Sequence, residues 1–466
     1  MRPFALIGGS SFLLLVPWQP CRASTSTACA PSATEARLVV EDALQERARL
    51  VAALVAADPR VEADAFSAEF LAAVPEKRLA SLAKGIHRQG GAVVEVAPLR
   101  RDGPWAGRFE FVLERERALV ATLSVSSEAP HRIVGLYFSA PLELHEDWAA
   151  LDVAARALPG RAALCALRLD GTDEPDAPGG LSSKQDKGAA PRREAGFADE
   201  PLAIGSAFKL WILGALVDEV RAGRLSGAEV ARLDPRLKAP PSGRMQDWPD
   251  GAPATLHTLA VAMVSESDNT ATDHLLHALG RARVEAMLEP MGLASAARNL
   301  PLLATGEMFR IKCGPPEQRP WEELDLEGRR ARLAGWAAEQ PPRAPLDLAR
   351  LSRPTRIETV EWFASARELG RTLDWLRRAT EEGPAAGLRA ILAVNPGLPA
   401  VAARHEWCGF KGGSEPGVLS LAFLLKDGRG RWWALVGVHN DPQEALAEAR
   451  LADLVASAAR LLAREP

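Results

Sequence analysis

Residues 210–220, LWILGALVDEV, are apolar on nearly every face of a helix. A helix of that kind does not sit on a surface; it is enclosed by other elements, so the fold is layered around it. Its leading segment is Ile204-Gly205-Ser206-Ala207-Phe208-Lys209. A serine in the first turn places its oxygen near the positive end of the helix dipole. Lys209, three residues on, faces the same side. Burial lowers the pKa of a lysine, and a neutral amine can take the proton of Ser206 to make a nucleophile.

With 466 residues the chain is longer than one ordinary domain and suits two or three. Its 47% hydrophobic and 25% charged residues support a large packed core and argue against disorder. A net charge of −4 gives no support for a nucleic-acid or anionic-membrane partner. Only nine of the 56 basic residues are lysines. Arginine therefore serves where charge alone is needed, and each lysine merits inspection because only lysine can give up its proton.

Residues 1–23 read as a secretory leader: Arg2, an apolar run from Phe4 to Trp18, and small residues around Cys21-Arg22-Ala23. The expectation is a periplasmic or secreted protein without a membrane span. A lipoprotein cleavage before Cys29 fits less well, since Ser26 stands where a leucine is expected. Cleavage leaves Cys29, Cys165, Cys313 and Cys408, which can pair in three ways. None has zinc-site spacing, and neither metal nor cofactor is expected.

Helical periodicity marks Leu38 to Ala57, Ala63 to Val74 and Glu76 to His87. The period then changes to strands at Ala92 to Leu99, Gly107 to Glu116, Ala118 to Ser126 and His131 to Ser139. Helices followed by a sheet give a small α+β domain over 35–142. A second domain over 145–466 opens with a helix, His145 to Leu158, and a strand, Ala162 to Asp170. Residues 171–200 read as a surface loop. A mainly helical region runs from Ser206 to about Asn395. Strands return at Trp407 to Lys411, Leu419 to Lys426 and Trp432 to His439, and a helix from Pro442 to Ala463 closes the chain.

Ser-x-x-Lys alone is a weak signal, and Ser81-Leu82-Ala83-Lys84 repeats it on a helix read as solvated. Only the Ser206 copy is followed by Ser267-Asp268-Asn269 and then Lys411-Gly412-Gly413-Ser414. Ser267 offers a hydroxyl to relay a proton to the leaving group, and Asn269 an amide to orient substrate. Asp268 is read as holding the loop. Gly413 lets substrate approach the backbone. Lys411 is expected to meet a substrate carboxylate and to keep Lys209 neutral by repulsion. The amides of Ser206 and Ser414 would form an oxyanion hole. Without the other motifs, Ser206 is better read as a helix cap. The histidines His257, His274 and His277 lack matched acids, and the only tyrosine, Tyr137, lies in the first domain. Catalysis by a histidine triad, by zinc or by a tyrosine is therefore disfavoured.

Three motifs in this order resemble the active-site set of class A β-lactamases and penicillin-binding serine hydrolases. The resemblance covers about 145–466 and implies a β-lactamase/transpeptidase-like domain, an antiparallel sheet with an all-helical subdomain. It implies Ser206, Lys209, Ser267 and Lys411 as catalytic residues, and Asn269, Gly413 and Ser414 as substrate-binding ones. Gly412 departs from the family, which usually has Thr there. The strings around the motifs are most similar to a subgroup that includes the β-lactamase-like hydrolase of clavulanic acid clusters and related mycobacterial lipoproteins. Its members carry an N-terminal domain of the steroid isomerase/NTF2-like (cystatin-like) type, which implies the same for 35–142.

The resemblance implies a secreted hydrolase forming an acyl-enzyme with a small-molecule β-lactam, ester or peptide. The alternatives are a penicillin-binding or wall-sensing protein that acylates and stalls, or a D-alanyl peptidase or esterase. Class A enzymes deacylate with a Glu in a Glu-x-x-Leu-Asn pattern that is missing here. Glu307 is the nearest candidate by position, and is read as a surface-loop residue.

Overall fold

The structure, a computed structural model, describes residues 33–170, 193–315, 317, 319–339 and 346–465. The expected leader, Cys29 and most of the loop from 171 lie outside the described residues. The described chain groups into two compact units. One runs to His145 and includes Leu398–Arg404; the other comprises Glu146–Gly397 and His405–Pro466.

In the first unit the helices Ala33–Leu54, Ala68–Ala73 and Glu76–Gly90 precede an antiparallel sheet. Its strands are Val93–Gly103, Ala106–Leu113, Arg117–Val125 and Ile133–Phe138, paired in that order. One helix expected over 63–74 is broken, because the Ser67 side chain accepts from the Phe70 amide and caps a new start there. The apolar stripes of the helices meet the sheet in a core that includes Val51, Phe70, Leu79, Ile86, Phe111 and Phe138. Ser81 and Lys84 are exposed, which removes the second Ser-x-x-Lys from consideration.

The second unit is built on a five-stranded antiparallel sheet. Its order is Trp407–Glu415, Val418–Lys426, Trp432–Asn440, Arg161–Arg168 and Glu194–Gly196. Strands from both ends of the chain thus lie side by side, as the helix–strand opening and strand–strand–helix ending require. The closing helix, Glu448–Arg464, sets Leu451 and Val455 against Gly437. Helix Ala366–Ala379 sets Gly370 on Leu167 and Ala434. Residues 434 and 437 are three apart in a strand, so these helices cover opposite faces.

Helix Ala366–Ala379 also contacts helix Lys209–Arg221, which in turn contacts Leu256–Ser265 and Asn269–Leu279. The apolar helix is therefore central, with residues 209–217 all buried. The stretch around 313–345 contains a helix, Leu326–Ala338, whose Leu333 and Trp336 join the main core. Among the described residues no helix is long and apolar enough to cross a membrane. Cys165, Cys313 and Cys408 are buried.

Candidate active site

Ser206 lies in a 3-10 turn, Gly205–Phe208, that runs directly into helix Lys209–Arg221. In such a turn residues three apart eclipse one another, so Ser206 and Lys209 stack on one side. Ser206 is partly exposed and Lys209 fully buried. Strand Trp407–Glu415 passes so close to the turn that a Cβ at Gly413 would stand 2.2 Å from the Ile204 carbonyl oxygen and 2.5 Å from the Ser206 nitrogen. Only glycine permits this approach. In return, a Cβ at Gly205 (φ +49°) would lie 3.3 Å from the Ser414 nitrogen. The backbone at Ser206 and at Ser414 is thus held side by side, as a two-amide oxyanion site requires.

Ser267 joins the two lysines. The Lys209 ammonium nitrogen is 2.6 Å from the Ser267 carbonyl oxygen, 3.1 Å from Ser267 Oγ and 2.8 Å from Asn269 Oδ1. Lys411 Nζ lies 3.1 Å from the same Ser267 Oγ and also donates to the Gly412 carbonyl. Ser267 has φ +56°, a left-handed conformation that costs a non-glycine residue energy. The surroundings enforce it. Asp268 caps helix Asn269–Leu279 through the Ala271 amide (2.8 Å) and binds the Arg244 and Met245 amides (2.7 and 2.8 Å). Asp268 therefore holds the loop.

Burial lowers the Lys209 pKa to about 7, against the opposing pull of Asp268 and Asp273. Burial also drives Lys411 well below its ordinary value, and repulsion from Lys209 adds to this. Desolvation is the main cause for both lysines, and the repulsion between them is mutual, each favouring the neutral form of the other. Lys411 is buried, and its Nζ is engaged by Ser267 Oγ and the Gly412 carbonyl.

A cavity of about 290 Å³ opens at Ser206, and Ser267, Asn269, Gly412, Gly413 and Ser414 also line it. Of the seven predicted site residues, Ser206, Ser267, Asn269, Gly413 and Ser414 line the cavity, while Lys209 and Lys411 lie behind Ser267. At Gly412 a Cβ would stand 2.8 Å from the end of the Phe410 ring. Phe410 thus occupies the space that the usual Thr side chain would need.

Glu307 is not a loop residue. It begins helix Thr305–Cys313, accepts from the Ala304 amide at 2.7 Å, and is held by Arg281 at 2.7 and 3.0 Å. It does not line the cavity. Thr305, beside it, does line the cavity and is fixed by Asp273, which accepts from the Thr305 amide and hydroxyl (both 2.7 Å) and the Gly306 amide (2.9 Å). His274 accepts from the Asp234 amide through Nε2 and faces the Thr270 carbonyl through Nδ1. Both ring nitrogens are used structurally.

Sequence reasoning missed one group at the cavity. Lys312 is buried between Glu361 (2.8 Å) and Glu415, and both carboxyls line the cavity. Lysine scarcity was the available signal for Lys312.

Residues 194–374, less than half of the chain, match the family model described as the β-lactamase enzyme family. The matched segment includes the first two motifs, Ser206 to Lys209 and Ser267 to Asn269. No curated protein matches the chain. Among solved structures it is similar to PBP-A, at 17% identity and a TM-score of 0.45, covering 68% of this chain and 94% of that one. It is similar to a β-lactamase from Sphaerobacter thermophilus at 21% identity and 0.44, covering 68% and 97%. A β-lactamase from Desulfarculus baarsii gives 20% identity and 0.45, covering 68% and 98%.

Proposed function

We propose that the protein is a secreted or periplasmic serine hydrolase that forms an acyl-enzyme on Ser206 with a β-lactam, ester or amide. The observation that carries this reading is the convergence of Lys209 and Lys411 on Ser267 Oγ, behind the cavity that opens at Ser206. Neutral Lys209 takes the Ser206 proton as the oxygen attacks the acyl carbon. The Ser206 and Ser414 amides hold the oxyanion. The proton then passes from Lys209 to Ser267 Oγ, and Ser267 delivers its own proton to the leaving group, with Lys411 donating to the same oxygen. Asn269 orients the amine through Oδ1 and faces substrate from the cavity wall. The leader over 1–23, the NTF2-like type for the first unit and the clavulanic-acid-cluster subgroup belong to the same proposal, supported respectively by the charged start and apolar run, by helices followed by a sheet, and by the strings around the motifs.

The test is intact mass spectrometry after exposure to a penicillin, a cephalosporin and a simple aryl ester. The wild-type protein should gain the acyl mass and Ser206→Ala should not; an adduct on the variant would refute the assignment. A second reading, a protein that acylates readily and releases its acyl group slowly, is favoured by the commitment of Glu307 to Arg281 and the helix cap.

A further inference from the structure

The cavity at Ser206 is lined by three ionisable side chains, all acidic: Glu361, Glu415 and Glu448. No Lys, Arg or His belongs to its described lining. The catalytic lysines lie behind Ser267. Lys312 is fully buried and serves two carboxyl groups at once, Glu361 and Glu415. The cluster therefore holds one carboxyl group more than its ammonium can neutralise. Neutral polar groups such as Asn269 and Thr305 line the end near Ser206, and Met308, Phe309, Leu351, Trp362, Val418 and Leu446 make an apolar part of the wall.

We propose that Glu415 is a specificity-determining residue that makes this cavity favour acyl donors carrying an ammonium group on an apolar side chain. The inference rests on the serine-hydrolase reading and deepens it. Glu415 ends the strand that carries Lys411 and Ser414, so it follows directly on the oxyanion amide. Burial and then the neighbouring Glu361 push its pKa well above the carboxylate range, despite Lys312. A surplus carboxyl of this kind is balanced either by a proton or by a cation. A substrate ammonium supplies that cation in an ion pair, which in a desolvated setting is stronger than a neutral hydrogen bond. An anionic side chain finds no cationic group in the described lining to offset the carboxyl groups. Lys312 is held above its ordinary value, since Glu361 and Glu415 outweigh its burial, and so is already committed. Other titratable groups near the cluster include Glu448, raised by burial, Cys313, raised by burial and partly offset by Lys312, and Arg350 and Asp347, which face Cys313 with opposite signs.

The test compares three penicillins that differ only at the α-carbon of the side chain, bearing an ammonium, a hydrogen or a carboxylate. Second-order acylation constants at one pH should rank in that order, with roughly a tenfold to hundredfold advantage for the ammonium over hydrogen. Glu415→Gln should collapse this ratio, while Glu448→Gln leaves most of it. Calorimetry of benzylammonium against benzyl alcohol on Ser206→Ala reads the same preference without chemistry. If the neutral penicillin acylates Ser206 as fast as the cationic one, the specificity proposal fails and the hydrolase reading stands. If no probe acylates Ser206, that reading fails, and benzylammonium binding no tighter than benzyl alcohol then overturns the cavity preference as well. Should Glu415→Gln not fold, the wild-type ranking alone decides.

Discussion

Lys209, Lys312 and Lys411 are buried in a chain that otherwise relies on arginine. Two of the three were legible in the sequence, because each sits in a motif at fixed spacing from a serine. Lys312 was not, because its partners Glu361 and Glu415 lie 49 and 103 positions away and only the fold joins them. Lys209→Arg should reduce acylation by about a hundredfold or more, the usual worth of a general base, because a guanidinium stays protonated. Near-normal acylation by this variant, followed by mass spectrometry, would exclude Lys209 as base. The pH profile has a definite sign. The active form of Lys209 is neutral, and its pKa is lowered to about 7, so the neutral fraction grows as pH rises. The acylation rate constant should climb through that value and level off above it. One unit below the midpoint it should be about tenfold under the plateau.

At the scale of elements, the sequence located most helices and strands because the period of apolar residues changes between them. It misplaced boundaries where a side chain acts on the backbone. Ser67 restarts a helix, and the closing helix begins at Glu448, six residues past the expected Pro442. Part of that delayed stretch, Ala445 and Leu446, lines the cavity. The close approach of strand Trp407–Glu415 to the nucleophile turn was legible only as a pair of glycines. Gly413→Ala should force the strand and turn apart, since a methyl group there meets backbone on the turn. Acylation should fall at least tenfold, while circular dichroism retains the secondary structure. Unchanged rates would mean that the Ser206 and Ser414 amides need not adjoin. Asp273 ties the first residues of helix Thr305–Cys313 to the Ser267-Asp268-Asn269 helix. Burial raises its pKa to about 6, against the bonds from Gly306 and Thr305. Asp273→Ala strips three donors of their acceptor and should destabilise the protein by about 2 kcal/mol. Urea unfolding would measure this, with no loss expected if the helix start were held elsewhere.

At the scale of the whole molecule, every residue of the proposed acylation site lies in the second unit, and on that proposal the fate of the acyl group depends on a second base. The sequence raised that question by lacking the family's glutamate pattern. The structure narrows it, because Glu307 is held by Arg281 and the Ala304 amide, and the cavity carboxyls Glu361 and Glu415 are bound to Lys312. Burial also raises the pKa of Glu448, but it carries no such ion pair among the described residues. In the proposed mechanism, acyl transfer to Ser206 uses Lys209, Ser267 and the two amides. Release to water needs a base aimed at a water molecule beside the ester, and loss of such a base typically slows a reaction by about a hundredfold to ten-thousandfold. A chromogenic cephalosporin should therefore give a burst of about one equivalent followed by a slow steady rate, and quenched mass spectrometry should find most of the protein acylated. An unhindered aryl ester, whose acyl group leaves more room for water, should turn over faster from the same site. Fast cephalosporin turnover without an accumulated adduct would mean that one of the cavity carboxyls is the missing base. Trapping of the adduct by Glu448→Gln, and not by Glu307→Gln, would then identify it.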